Sequence, residues 1–466
     1  MKKISYSLIT LFILFTSCNK DNDYEPVPQD LYEEGEEFLT EHLGVNSTSG
    51  EAFGFEIVGL SDLEEVFFGT GNSLFSQNWV SSPASTTARD GLGPTFNARA
   101  CANCHFEDGR GEPIVNGENS LGFLMRISLP GQDAFGNANP VPNYNTQIQD
   151  RANFGIPFEA KVNVNYETIT GNYPDGSSYE LRNPVYSFTQ EQFGSLNGVE
   201  MSPRVAQQTI GLGLINALPD SEILQFEDEF DSNNDGISGR PNYVWNIEAN
   251  TPTLGKYGWK GNTPTLKQRV ASAFHGDMGL TTSLFSENNC PSPQQDCFDA
   301  PNGGELEVTD NQLQRVTFYQ ATLAVPNRRN FRDDNVLLGK VLFNELNCIG
   351  CHTINMKTGT SSITPVLNNI NIRPYSDFLL HDMGEGLADN RKDFLASGRE
   401  WRTQPLWGIG LIEAVNGHTF LLHDGRARNV EEAILWHGGE AETSKEAFMN
   451  LNANDRQNLI DFVNSL

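Results

Sequence analysis

Cys348-Ile349-Gly350-Cys351-His352 repeats a pattern met earlier in the chain as Cys101-Ala102-Asn103-Cys104-His105. Two thiols three residues apart, with an imidazole directly after the second, suit one task well. The thiols add across the two vinyl groups of a haem, and the histidine swings beneath the ring to hold the iron. A redox dithiol or half a zinc site also uses Cys-x-x-Cys. A zinc site needs further Cys or His close by, and the other cysteines of the body, Cys290 and Cys297, are far from both motifs in sequence. Two covalently bound c-type haems are therefore expected, held by Cys101, Cys104 and His105 and by Cys348, Cys351 and His352.

The chain begins Met1-Lys2-Lys3, runs largely apolar from Leu8 to Phe15, and reaches Thr16-Ser17-Cys18. This is the form of a secretory signal, too short for a membrane span of about 20 apolar residues. A cysteine at the cleavage point resembles a bacterial lipoprotein signal, which makes Cys18 the expected lipidation site; an ordinary signal peptide is the other reading. Residues 1–18 are thus read as signal and 19–36 as an acidic flexible linker. Haem attachment of this kind occurs outside the cytoplasm, so the expected location is the periplasmic side of a membrane or the cell surface. Cleavage removes Lys2 and Lys3 and takes the net charge from −29 to −31. Such a surface excludes nucleic acid and suits a small cationic redox protein as electron donor. In an oxidising compartment Cys290 and Cys297 are expected to form a disulfide.

A weak internal repeat organises the rest. Gly71-Asn-Ser-Leu74-Phe75 precedes the first motif and Gly339-Lys-Val-Leu342-Phe343 the second; Asp277-Met278-Gly279 and Asp382-Met383-Gly384 follow. The order predicts a mainly α protein of two cytochrome c-like haem domains, 37–330 and 331–466, the first with a β-containing insertion and long loops. The alternation Val162, Val164, Tyr166, Thr168, the turn at Asn172 to Gly176 and Tyr179-Glu-Leu-Arg predict a hairpin. Val336, Leu337, Val341, Leu342 and Leu346 predict a helix leading into Cys348, and Leu459 to Leu466 a final helix capped by Asp455.

The sixth iron ligand decides what each haem does, because a thioether closes the site and an empty position admits peroxide. For the second haem the candidate is Met383, with His381 as competitor. For the first, His275 and Met278 are candidates, the alternative being an open or water-bound iron. Trp401 and Trp407 could lie between or beside the rings. Asp231, Asn233 and Asp235, followed by Gly236, match positions 1, 3, 5 and 6 of a calcium loop, but Gly239 and Asn242 leave positions 9 and 12 incomplete.

Gly91-Leu-Gly-Pro-Thr-Phe-Asn97, Cys101 to His105 and Asp108-Gly-Arg-Gly111 resemble the bacterial di-haem oxidoreductase family, also called thiol-oxidoreductase-like. So do Leu323-Ala-Val-Pro326, Leu380-His-Asp-Met-Gly-Glu-Gly386, Glu400 to Trp407 and Leu422-His-Asp-Gly-Arg426. The last third resembles, more distantly, the di-haem cytochrome c peroxidases, where a comparable arginine-and-proline stretch and His-Asp-Gly follow the methionine ligand. The resemblance implies an electron-transfer haem in the second unit, a peroxide-facing haem at His105 in the first, and calcium between them. No histidine follows His105 closely enough to match the resting ligand of the peroxidases. The alternative from another class is a non-enzymatic electron-transfer lipoprotein with both irons six-coordinate.

Overall fold

The computed structural model describes residues 31–466 except 87, 116, 118 and 119; the signal segment, Cys18 and most of the acidic linker lie outside the described residues. Six helices frame the interior: α1 (Asp62–Ser76), α2 (Leu266–Met278), α3 (Asp310–Ala321), α4 (Asp334–Glu345), α5 (Val430–Leu435) and α6 (Ala453–Ser465). α1 packs on α3, and α4 on α6.

Both crossings rest on a glycine of the repeated Gly-x-x-Leu-Phe segment. A Cβ on Gly71 would meet the Arg315 carbonyl oxygen and stand 2.6 Å from Tyr319 Cβ on α3. A Cβ on Gly339 would meet the Asn458 carbonyl oxygen and stand 2.7 Å from Phe462 Cβ on α6. One turn further on, the phenylalanine of the repeat points at a motif histidine. Phe75 lies 6.2 Å from the His105 ring and 5.3 Å from Tyr319. Phe343 lies 6.3 Å from the His352 ring and 5.2 Å from Phe462. The repeat is thus a device for bringing two helices close and packing an aromatic ring against the imidazole.

The final helix is capped one turn earlier than the sequence suggests. Asn452 Oδ1 accepts from the Asp455 N–H at 3.0 Å, so Asp455 is the third helical residue and Asn452 the cap. α3 begins at Thr309, which exchanges hydrogen bonds with Gln312 in a capping box.

The mainly α class does not hold. Helix makes up 29% of the protein and strand 19%, the strand spread over several small sheets. Four strands carry most of it: β1 (Phe123–Gln132), β2 (Lys161–Asn172), β3 (Ser178–Thr189) and β4 (Glu200–Val205). β2 and β3 form an antiparallel hairpin in register from Lys161 opposite Thr189 to Asn172 opposite Ser178. β1 pairs antiparallel with β4. Its buried residues Phe123, Met125 and Ile127 alternate with more exposed ones, a period-two signal too short to stand out beside Pro130-Gly131. Two short strands, β5 (Leu380–Asp382) and β6 (Glu400–Arg402), set His381 directly opposite Trp401.

The helix crossings predict opposite outcomes for glycines of one helix type. Gly339→Ala should cost about 1–3 kcal/mol through overpacking against α6. Gly69→Ala on α1, where a Cβ meets nothing within 4 Å, should stabilise by roughly 0.5–1 kcal/mol. Denaturant midpoints of the two variants check this; a Gly339→Ala protein as stable as the parent would remove the close crossing from the account.

Candidate functional site

Cys101–Cys104 forms a single helical turn and Cys348–Gly350 a 3-10 turn. The His105 N–H donates to the Cys101 carbonyl at 3.0 Å, and the His352 N–H to the Cys348 carbonyl at 2.9 Å. Each turn sets both thiols and the following imidazole together at the wall of the interior. All four thiols are free. Burial raises the pKa of each, Cys104 and Cys348 to about 12. A redox dithiol depends on the opposite, a depressed thiol pKa.

The two imidazoles are oriented alike. His105 Nδ1 donates to the Gln207 carbonyl at 2.6 Å and His352 Nδ1 to the Tyr375 carbonyl at 2.9 Å. That bond fixes the tautomer and leaves Nε2 as the lone-pair nitrogen, the arrangement of a metal-ligating histidine. Burial lowers both rings to a pKa of about 4, so both are neutral.

Both motifs line one continuous cavity of about 320 Å³. Trp259, Trp401, Arg402 and Trp407 contribute to its wall, and Arg110 lies close to Trp259. Two of these cations are incompletely satisfied: Arg110 Nε and Arg402 Nη1 are buried with no protein partner. Burial lowers both guanidiniums to about 10. A largely apolar wall, two neutral imidazoles with Nε2 free, four protonated thiols and two guanidiniums that each keep one nitrogen unpartnered fit an apolar ring that carries carboxylates, as haem does. Bound haem would be held by His105 and His352 and would supply one-electron redox chemistry there.

The far sides of the two motifs differ. α2 presents Arg269, Ala273 and Asp277 to the cavity at spacings of four, with Val270 beside them. Asp277 and Arg269 both act electrostatically on His105. The Gly91 to Asn97 segment clasps the end of α2: Gly93 N–H donates to the Met278 carbonyl at 2.9 Å and Asn97 N–H to the Asp277 carbonyl at 2.8 Å. Gln147 Nε2 then donates to Asp277 Oδ1 at 2.8 Å. The structure does not turn His275 or Met278 into the cavity. His275 Nε2 meets the Glu287 carbonyl at 3.0 Å and its ring stacks on Phe285, while Met278 is buried in the core.

On the second motif's side, Met383, His381 and His437 all line the cavity. His381 has both nitrogens engaged, Nδ1 with Glu440 Oε2 and Nε2 with Asp377 Oδ2, each at 2.8 Å. The Asp377 carboxylate raises its pKa well above the usual value, leaving an imidazolium with no lone pair to give. His437 was not among the residues singled out in the sequence, nor were Arg269 and Asp277. The helix-like spacing Val430, Ala433, Ile434, His437 before Gly438-Gly439 is the sequence signal that could have found the first, although the helix itself stops at Leu435.

Between the two sides, the Trp401 ring stacks on His423 at 3.8 Å and 13°. Lys260 Nζ sits 4.6 Å from the Trp401 ring centre and donates to Asp389 Oδ1 at 2.7 Å. Arg204 joins Asp393 at 2.6 Å and Arg391 joins it at 2.9 Å.

The loop Asp231, Asn233, Asp235 closes on itself. Asp231 and Asn233 oxygens accept from the Asp235 N–H at 2.9 Å, and Asn233 Nδ2 donates to Asp235 Oδ2 at 3.1 Å. Among the described residues no group of three His, Cys, Asp or Glu side chains is placed to hold a metal ion. Cys290 and Cys297 are joined, with Cα atoms 5.8 Å apart.

No curated protein matches the chain. A family model described as "Di-haem oxidoreductase, putative peroxidase" matches residues 40–466, which takes in both motifs, α2, the cavity and the final helix. The chain therefore belongs to the di-haem oxidoreductase family.

Proposed function

We propose that the protein is an exported di-haem peroxidase in which haem is attached through thioethers at Cys101 and Cys104 and at Cys348 and Cys351. His105 and His352 hold the two irons. Electrons enter at the second site and pass to the first, where hydrogen peroxide is reduced. The observation that carries this reading is the unlike far sides of one cavity. The cavity that holds His105 is lined by the Asp277 carboxylate, the Arg269 guanidinium and the small Ala273, and the two charges act on His105. Met383 and His437, which line the same cavity as His352, are side chains able to ligate an iron.

Reduction of peroxide to two waters consumes two electrons and two protons. Asp277, its carboxylate held by Gln147 and its backbone by Asn97, would serve as the general acid/base, moving a proton from one peroxide oxygen to the other. Arg269 offsets the negative charge that develops as the O–O bond breaks. The same α2 face carries both groups, so their separation is held by a helix rather than by a loop.

Export accords with the disulfide at Cys290–Cys297 and with the lipoprotein-like signal ending at Cys18, which would hold the body at a membrane surface. A net charge of −29 on the full chain favours a basic electron-donor protein. A calcium ion at Asp231, Asn233 and Asp235 would have to displace the hydrogen bonds these groups now make within the loop.

Intact mass of the purified, denatured protein should exceed the polypeptide by two haems, and by one haem in Cys101→Ser/Cys104→Ser. An unmodified polypeptide mass would end the proposal. Asp277→Asn should slow steady-state peroxide reduction by roughly 10²–10⁴-fold. Met278→Ala, outside the cavity, should leave it within about twofold, because nothing there touches the reacting atoms. A full-speed Asp277→Asn enzyme would remove Asp277 from the chemistry.

A further inference from the structure

A third imidazole is set in the manner of His105 and His352. His437 Nδ1 donates to the Ala433 carbonyl at 2.6 Å, which leaves Nε2 as the lone-pair nitrogen, and no protein group engages that nitrogen among the described residues. Burial lowers its pKa, so the ring is neutral. It stands two residues beyond the end of α5, whose Val430, Ala433 and Ile434 line the same cavity. His437 and His352 line the same cavity.

The turn after His437 is built to keep it there. Gly439 has φ +56°, and a Cβ on it would meet the Asp382 carbonyl oxygen and stand 2.7 Å from the Gly384 nitrogen. Glu440 Oε1 accepts from the Asp382 N–H at 2.9 Å, and Glu440 Oε2 accepts from His381 and from the Ser238 N–H. The His437 turn and the Met383 loop are therefore pressed together, and both a thioether and an imidazole line the cavity. Only one of them can complete the second iron.

We propose that His437, and not Met383, is the sixth ligand of the second haem, giving that iron two histidines. The inference rests on the di-haem reading above. His437 has its ring orientation fixed by a hydrogen bond that also strengthens its free nitrogen as a donor, the outer-shell support seen on metal-ligating imidazoles. No polar interaction orients the Met383 thioether. An imidazole in place of a thioether lowers the reduction potential of the iron, which steepens the fall of electrons toward an open first site.

The test uses oxidised holoprotein and reads ligation by visible, near-infrared and electron paramagnetic resonance spectra rather than by turnover. His437→Ala should convert one of the two haems from low-spin to high-spin, while Met383→Ala leaves both spectra unchanged. His437→Met should restore a low-spin haem and add the long-wavelength sulfur-to-iron band of a thioether ligand. A wild-type thioether band that disappears in Met383→Ala overturns the assignment, as does His437→Ala with unchanged spectra. If His437→Ala fails to fold, the wild-type and Met383→Ala spectra still decide. Loss of the two-haem mass, by contrast, would sink the di-haem reading itself and is measured separately.

Discussion

The protein depends on a hydrogen bond from an imidazole Nδ1 to a backbone carbonyl. At His105 the acceptor is Gln207, and at His352 it is Tyr375. Each acceptor comes from a segment remote from its motif, so the bond ties distant chain to a thiol pair while aiming Nε2 into the cavity. It also explains why the imidazoles tolerate burial. A neutral ring with one nitrogen satisfied by protein and the other left with its lone pair carries no unpaired charge, and burial itself keeps the proton off. The helix crossings serve this orientation. Gly71 and Gly339 let two helices approach closely, and the phenylalanine four residues on is pushed against the histidine.

The parts legible in the sequence are those whose residues act locally. Cys-x-x-Cys-His is a self-contained chemical unit, and Gly-x-x-Leu-Phe is one turn of helix. The β2–β3 hairpin announces itself by alternation around Asn172 to Gly176. What escaped depends on a partner far along the chain. Nothing near Asp277 shows that Asn97 will hold its backbone carbonyl and Gln147 its carboxylate, because those contacts span well over a hundred residues. The repeat drew attention to Met278 for its likeness to Met383, yet the helix turns Asp277 and Ala273 inward and Met278 into the core. The excess of strand and loop over helix has a related cause. A chain wrapped around large cofactors can anchor segments to the cavity wall without long helices, and the many left-handed Asn and Gly residues mark where it turns to do so.

The charges buried between the two sites need a physical account, because the protein as a whole is strongly acidic. Lys260, wholly buried, meets Asp389, while Arg204 and Arg391 share Asp393. Five charges with mutual partners avoid the severe cost of an isolated buried ion, though the set stabilises less than its short distances suggest. Its clearer effect is geometric. Ser202 and Arg204 on β4, Lys260 and the 389–393 segment are locked together, and Trp401 is held between Lys260 on one side and His423 on the other. A cation 4.6 Å from the indole ring makes oxidation of that ring harder, since the resulting radical cation would face Lys260. The arrangement favours Trp401 as wall and spacer over Trp401 as a resting place for an electron hole.

Arg110 and Arg402 stand apart from that network. Arg110 Nε and Arg402 Nη1 are buried without a protein acceptor. A guanidinium left short of acceptors in the interior is costly, and here burial already depresses both groups to about 10. Sequence places Arg110 five residues beyond His105 and Arg402 on the strand opposite His381. Each motif thus has a cation within its own surroundings, and haem carries two carboxylates on one edge. Charge-assisted pairing of those carboxylates with Arg110 and Arg402 would satisfy the unpartnered nitrogens and set the edge of each ring, a constraint that thioethers and an axial histidine alone do not impose. The polypeptide by itself is then an incomplete hydrogen-bonded structure, and the cofactors are part of its fold as much as of its chemistry.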